Sequence, residues 1–319
     1  MGGDMVGKAA ELVESESRQA QEGDLSHVAV SDSPMFAGAV IVTESGSDLT
    51  PEEARRMSVY VLPMRVEIEG VDCLDEPTLP QRAFESYNRT GRTPKTSAVS
   101  PCQYRYLFQE LRERHPRKYI LHLSYSAATT ATYENARLGG EGIPGIIHVD
   151  TKAASSGMAA VVGAMARFLV TCPSATREEL ASAAESLANR ARLAFIPSDL
   201  AFLRSGGRLT NAEYLGASLL RISPTIEMVD GELVCTQKRR GSFAKACKEA
   251  LAAKLAEERF EPGSLFLLES TELDSGLKAD LEEVARAAGH ESVPWRRTHG
   301  VVSCHCGPNT FGFGGLAPA

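Results

Sequence analysis

The sequence has no run approaching the ~20 consecutive apolar residues that a membrane helix needs. Its N-terminus, MGGDMVGKAAELVESESRQAQEGD, lacks the basic region and apolar core of a secretory signal. The Met-Gly start also fails as an acylation signal, because Val6 stands where Ser or Thr is required. No polybasic block is present. The 34 lysines and arginines are scattered among 41 acidic residues for a formal net charge of -7, which argues against a nucleic-acid surface and supplies no stable membrane anchor. The 7 cysteines, at positions 73, 102, 172, 235, 247, 304 and 306, are odd in number and irregular in spacing, so the reading is reduced thiols in the cytoplasm rather than a disulfide framework. Walker A, Gly-x-Ser-x-Gly and His-Glu-x-x-His patterns are all missing. The glycines of GGEGIPG, 139–145, have the wrong spacing and element order for a dinucleotide fingerprint.

What remains is an ordinary globular composition, 43% hydrophobic and 24% charged, over 319 residues. That length suggests two domains, since single cores stop growing beyond ~250–300 residues. Residues 1–36 are acidic, polar and poor in aromatics, and read as a disordered extension. From 37 to 152 strand and helix patterns alternate. FAGAVIV reads as a strand, and Thr50, Pro51 and Glu53 start a helix with a capping box. SVYVLPMRVEI is extended and broken at Pro63, and Ser100, Pro101 and Gln103 start a second helix. KYILHLS and GIIHVD are strands around the helix ATYENARLGG. This rhythm predicts an α/β domain, a parallel sheet in three layers.

From 153 to 319 the pattern changes to an α+β domain with a mainly antiparallel sheet. Two long helices, SSGMAAVVGAMARFLV and TREELASAAESLANRAR, come first. Asp230-Gly231 between two extended runs marks a hairpin. Helices over about 242–259 and 273–288 and strands at SLFLLES, SVPWRR and GVVSCHC follow.

Three hydroxyl-rich segments, TESGSD, KTSAVSP and SYSAATTATY, end strands of the first domain or precede its helices. Each alone is an N-cap cluster; together they suggest neutral donors gathered at the carboxyl edge of a sheet around a small anionic or polar group. In CHC, 304–306, a strand would turn Cys304 and Cys306 one way and His305 the other, which favours buried thiols over a metal site. His305, before Gly307-Pro308, is either a structural histidine or a hydrogen-bonding group at a strand end. In FLRSGGRLT the glycines make a helix C-cap, while the flanking Arg204 and Arg208 suit a phosphate or a protein.

Taken in order, VTESGSDL, KTSAVSP, HVDTKAASSG, FLRSGGRLT, RISPTIEMVDGEL, KRRGSFAKA and CHCGPNTFGFG resemble the successive motifs of the DegV family over about residues 38–316. The resemblance implies a two-domain protein that buries a long-chain fatty acid between its domains. It further implies presentation of the carboxyl group to a separate ATP-binding fatty-acid kinase subunit, which forms acyl phosphate. Thr96, Ser97, Ser126 and His305 would hold the carboxylate, with Ser124 a rival alignment for Ser126. Arg208 and Arg240 would sit on the rim and meet the partner. No catalytic residue, metal or cofactor is implied. Burying ~14 methylenes at ~0.8 kcal/mol each would contribute ~11 kcal/mol gross, so the tail sets affinity and the hydroxyls set which end faces out. The sequence departs from the family pattern at Glu44 for Asp, at Ala127, Thr130 and Ala131 for Ser, Ser and Gly, and at Asn309 for Gly. A stand-alone fatty-acid storage or sensing protein, and an independent phosphotransferase acting through His305, are the alternatives.

Overall fold

The computed structural model describes residues 36–208 and 222–319; the expected extension up to residue 35, and Leu209 and Thr210 of the Gly-Gly-Arg segment, lie outside them. Phe36, placed in the extension on sequence, is buried in the core.

Four strands, β1 (Ala39–Glu44), β2 (Val59–Leu62), β6 (Tyr119–Ser124) and β7 (Ile146–Asp150), form a parallel sheet in the order β2-β1-β6-β7. Strand alternation sends Val40, Val42 and Ile120 to one face, where Tyr104, Leu107, Phe108 and Leu111 of helix α3 (Pro101–Arg114) and Ala136 of α4 (Thr132–Gly140) meet them. The other face, with Ile41, Leu121, Leu123 and Val149, is covered by α5 (Ser155–Thr171) and α6 (Arg177–Arg190). The three layers are as expected, but one of them is supplied by residues 155–190, which the sequence reading assigned to the second domain. The capping boxes read at Thr50 and Ser100 are present, starting α1 (Pro51–Met57) and α3. Beside this sheet lies an antiparallel one that sequence reading did not separate, β4 (Val71–Leu74), β3 (Arg65–Ile68) and β5 (Lys95–Ser97), with helix α2 (Leu79–Thr90) between β4 and β5. Thr96 therefore sits on a short strand, paired with Val66.

The second sheet has the order β10-β9-β8-β13-β11-β12. Its strands are β8 (Ala191–Ile196), β9 (Ile222–Val229), β10 (Glu232–Arg240), β11 (Phe266–Glu269), β12 (Trp295–Arg297) and β13 (Phe311–Leu316). All neighbours are antiparallel except β11 and β12. Helices α8 (Phe243–Glu257) and α9 (Ser275–Ala287) pack Cys247, Leu251, Leu277 and Leu281 on one face against Ile196, Leu267 and Phe311. The β9–β10 hairpin turns through Asp230 and Gly231, both at positive φ (49° and 89°), the backbone that a two-residue Asp-Gly turn supplies.

Two expected elements are corrected. Ala191 and Arg192, read as the tail of a helix, instead open β8; Arg190 ends α6, and Leu193 and Phe195 then alternate with Ala194 and Ile196 between the two faces of the sheet. Residues 300–306, read as a strand, are helix α10 (Gly300–Cys306). Its β-branched start is overruled by tertiary capping. Asp48 Oδ1 accepts the His299 N–H at 2.7 Å and Asp75 Oδ1 accepts the Val301 N–H at 2.9 Å, two donors that would otherwise be orphaned at the helix start. With that correction Val301 and Cys304 face the first domain's core, and Val302, His305 and Cys306 face the other way.

Helix α5 touches both sheets, and its approach to the second depends on a strand without side chains at the crossing. A Cβ on Gly314 would stand 2.4 Å from Ser156 Oγ and 2.6 Å from the Arg192 carbonyl oxygen. We expect Gly314→Ala to destabilise the protein by about 1–3 kcal/mol through overpacking against backbone that cannot yield. The check is a lower urea midpoint at unchanged slope.

Candidate functional site

On the face of the second sheet away from α8 and α9 lies a cavity enclosing about 470 Å³ of empty space, its open mouth included. Leu193 and Phe195 of β8, Leu233 of β10 and Leu268 of β11 supply its floor. Tyr125 comes from the first domain, Ala154 and Ser155 from the start of α5, and Val302, His305 and Cys306 from α10. The wall is mostly apolar, and its polar members are largely spent on internal bonds. Ser270 Oγ donates to the Gly307 carbonyl (2.6 Å) and Thr310 Oγ1 to the Cys306 carbonyl (2.7 Å). Thr298 and Ser303 share a hydroxyl contact (2.7 Å), and Glu269 is paired with Lys278 and Arg297.

His305 is one exception. Its Nε2 lies 3.0 Å from Thr96 Oγ1, while Nδ1 is buried with no hydrogen-bond partner. Burial, and secondarily the charge of Arg208, push the imidazole down to about 4, so it is neutral at neutral pH. Two groups placed together on sequence, 209 positions apart, are thus brought into contact across the domain boundary. The other two are placed differently. Ser97 follows Thr96 on β5, so strand alternation turns it to the opposite face, where it is exposed. Ser126 is fully buried and donates its hydroxyl to the Gly231 carbonyl at 2.6 Å, tying the hairpin tip to the first domain. Ser124, the rival alignment, donates to the Tyr125 carbonyl (3.0 Å).

Arg208 follows α7 (Ala201–Ser205) and Gly207, whose φ of 72° turns the chain. It is half-buried and donates to the Gly206 carbonyl and, across the domain boundary, to the Thr129 carbonyl. Arg240 ends β10 and is exposed, at the opposite end of the hairpin from Gly231.

Sequence reading gave no role to several groups that shape this site. Asp150 Oδ1 accepts the N–H groups of Ala127 (3.1 Å) and Lys152 (2.9 Å), fixing the loop that carries Tyr125 and Ser126. Glu44 is wholly buried and accepts the Tyr104 hydroxyl (2.5 Å), His122 Nε2 (2.5 Å) and the Tyr125 N–H (2.8 Å). Its extra methylene relative to Asp is accommodated by this set of donors. His122 Nδ1 in turn meets His148 Nδ1 at 3.1 Å. The signal for Asp150 and Glu44 was their place in the family-like segments, without a stated contact. Asn309 stands at φ 50°, in the region that favours glycine but that Asn tolerates, which explains why it can replace the motif's last Gly. Ala131, at φ -74°, needs no glycine.

Among the described residues no cluster of three or more His, Cys, Asp or Glu side chains could hold a metal ion, and no helix is long and apolar enough to cross a membrane. In the helical frame Cys304 and Cys306 no longer share a face; both are buried, and burial pushes the Cys306 thiol up to about 12.

A parallel α/β sheet domain, a mixed-sheet domain and an apolar cavity walled by both define a two-domain ligand-binding architecture. The chain belongs to the DegV family, whose model, described as an uncharacterised protein family, matches residues 39–317. A DegV domain-containing protein of Deinococcus radiodurans is 30% identical over 214 residues, 66% of this chain and 73% of that one. The structure of a DegV family protein from Thermus thermophilus, described for its fatty acid binding, is 26% identical with a TM-score of 0.76, covering 88% of this chain and all of that one. The Streptococcus pneumoniae Fatty Acid Kinase (Fak) B3 protein, solved loaded with linoleic acid, shares the fold at 18% identity and a TM-score of 0.72, covering 88% of this chain and 100% of that one.

Gly206 gives a direct handle on His305. Its φ of -74° suits any residue, but a Cβ there would stand 2.5 Å from His305 Nδ1. Gly206→Ala should therefore displace the ring from Thr96 without straining the local backbone. The expected readout is a changed His305 ring resonance by NMR with the melting transition retained.

Proposed function

We propose that this protein binds a long-chain fatty acid in the cavity between its sheets and presents the carboxyl group to a separate ATP-dependent fatty-acid kinase subunit. The observation that carries the reading is an apolar cavity with His305, in contact with Thr96, in its wall. A buried neutral imidazole and a hydroxyl offer hydrogen bonds to a carboxylate without placing a competing charge in the cavity. The affinity comes from the tail: ~0.8 kcal/mol per buried methylene outweighs the ~1.5–3 kcal/mol per hydrogen bond to the head, part of which offsets desolvation. The fatty acids bound by the Thermus and Streptococcus proteins support the ligand class. Support for the kinase is narrower, resting on the description of the Streptococcus protein alone.

The chain need perform no bond chemistry in this reading. A carboxylate is already a nucleophile, and positioning, ATP and metal belong to the kinase subunit.

Protein expressed in bacteria is expected to carry about one fatty acid per chain, lost between native and denaturing mass spectra. Thr96→Val should weaken retention of the acid by ~1–3 kcal/mol, and that of a fatty alcohol less. An identical apo mass under both conditions, or equal losses for acid and alcohol, would overturn the assignment.

Arg208 is held by carbonyls across the domain boundary, so reversing its charge would also disturb the site. Arg240 is the cleaner probe of docking, being exposed at the end of β10. Arg240→Glu should leave bound lipid in place and slow acyl-phosphate formation with a cognate kinase, the effect shrinking as salt is raised. Full turnover at low salt would remove Arg240 from the docking surface.

A further inference from the structure

The walls of the cavity are not held equally firmly, and the tip of the β9–β10 hairpin is held by little. β9 pairs with β8 at Ile226–Phe195 and Glu227–Ala194, then parts from it, although β8 runs back to Ala191. Beyond Glu227 the two strands go on as a ribbon, since β10 is the edge of the sheet among the described residues. A β-bulge interrupts β10 between Cys235 and Gln237, beside the point where β9 leaves β8. Bulges bend a strand and raise its local twist, so the pairing ends and the ribbon can flex at the same level. Below that level Glu227 is anchored by Lys254 of α8 at 2.8 Å, which keeps the base with the sheet.

One side of the ribbon faces the cavity. Leu233 lines it, and Met228 packs against Ala154, Leu193 and Leu268. The other side is open: Val229 and Val234 are 43% and 38% exposed, so no helix backs the tip. What fastens the tip to the first domain is the Ser126 hydroxyl, donated to the Gly231 carbonyl at 2.6 Å. A segment with few buried contacts and an edge open to water is where local opening costs least.

We propose that residues 228–234 form the gate through which a fatty acid enters and leaves the cavity, latched by Ser126 on the Gly231 carbonyl. The proposal rests on the fatty-acid reading above and adds the route to it. Releasing one hydrogen bond and swinging the ribbon about the bulge uncovers the apolar floor at Leu193 from the side, so the chain need not thread lengthwise.

The test follows capture and release of a fluorescent long-chain fatty acid by stopped flow. A latch holds the closed state with or without ligand. Ser126→Ala should therefore raise the association and dissociation rates together, by about tenfold each for one buried hydrogen bond, with Kd unchanged. A second variant locks the gate. A Cβ on Gly231 would stand 3.6 Å from Ala128 Cβ, within the ~3.5–4.5 Å span of a disulfide. Ala128→Cys with Gly231→Cys is made with the exposed Cys102 and Cys172 replaced by serine, loaded and then oxidised. It should release its fatty acid about tenfold or more slowly than the same protein reduced. Equal rates in the two redox states would overturn the gate. Unchanged rates in Ser126→Ala would overturn it as well, and so would faster dissociation without faster association, which would assign Ser126 to the head group instead. Failure of the wild-type protein to capture the probe would remove the fatty-acid reading and the gate together. Gly231 stands at φ 89°, where a cysteine is strained; should that variant fail to fold, the Ser126→Ala rates alone decide.

Discussion

The site depends on how α10 is held. A seven-residue helix with valines in its first turn has little intrinsic stability. Asp48 and Asp75 supply it from the first domain, each accepting a backbone N–H at its start. Asp75 is itself held by the Ser45 hydroxyl at 2.7 Å, and Ser45 also accepts the Met64 N–H. Arg296, just before α10, donates to the Asp48 carbonyl and pairs with both oxygens of Glu53. Burying carboxylates is expensive, and burial pushes Asp75 up to about 6. What the arrangement achieves is placement: a helix of the second domain is docked on the first, with one face in its core and the other lining the cavity.

From that docking the rest of the site follows. Val302, His305 and Cys306 share the cavity face because helical spacing places positions three and four apart together. His305 then reaches Thr96 across the boundary. Opposite, the hairpin tip is held by Ser126 and the α7 end by Arg208, so three contacts from the first domain frame the opening. The departures from the family pattern at Glu44, Ala131 and Asn309 are absorbed by local geometry and leave this frame in place.

Much of this was legible in the chain. Capping boxes at Thr50 and Ser100, the Asp-Gly hairpin and the β/α rhythm are local signals, and each produced the element expected. Thr96 and His305 were named together through the family-like motifs, and they meet. What failed were segments governed by distant partners. β8 continues straight out of α6, with no breaker residue to mark the change, and is a strand because β9 and β13 flank it. GVVSCHC carries strand-like residues and is a helix because two carboxylates more than 200 positions away cap it.

The sequence by itself determined the α/β class and most local starts and stops, because capping, turn chemistry and hydrophobic periodicity act over a few residues. Only the tertiary structure decided which way those residues point. Ser97 and Thr96 are neighbours in the chain, but strand alternation turns one outward and the other towards His305. Ser126 carries the expected hydroxyl, but the hairpin tip claims it.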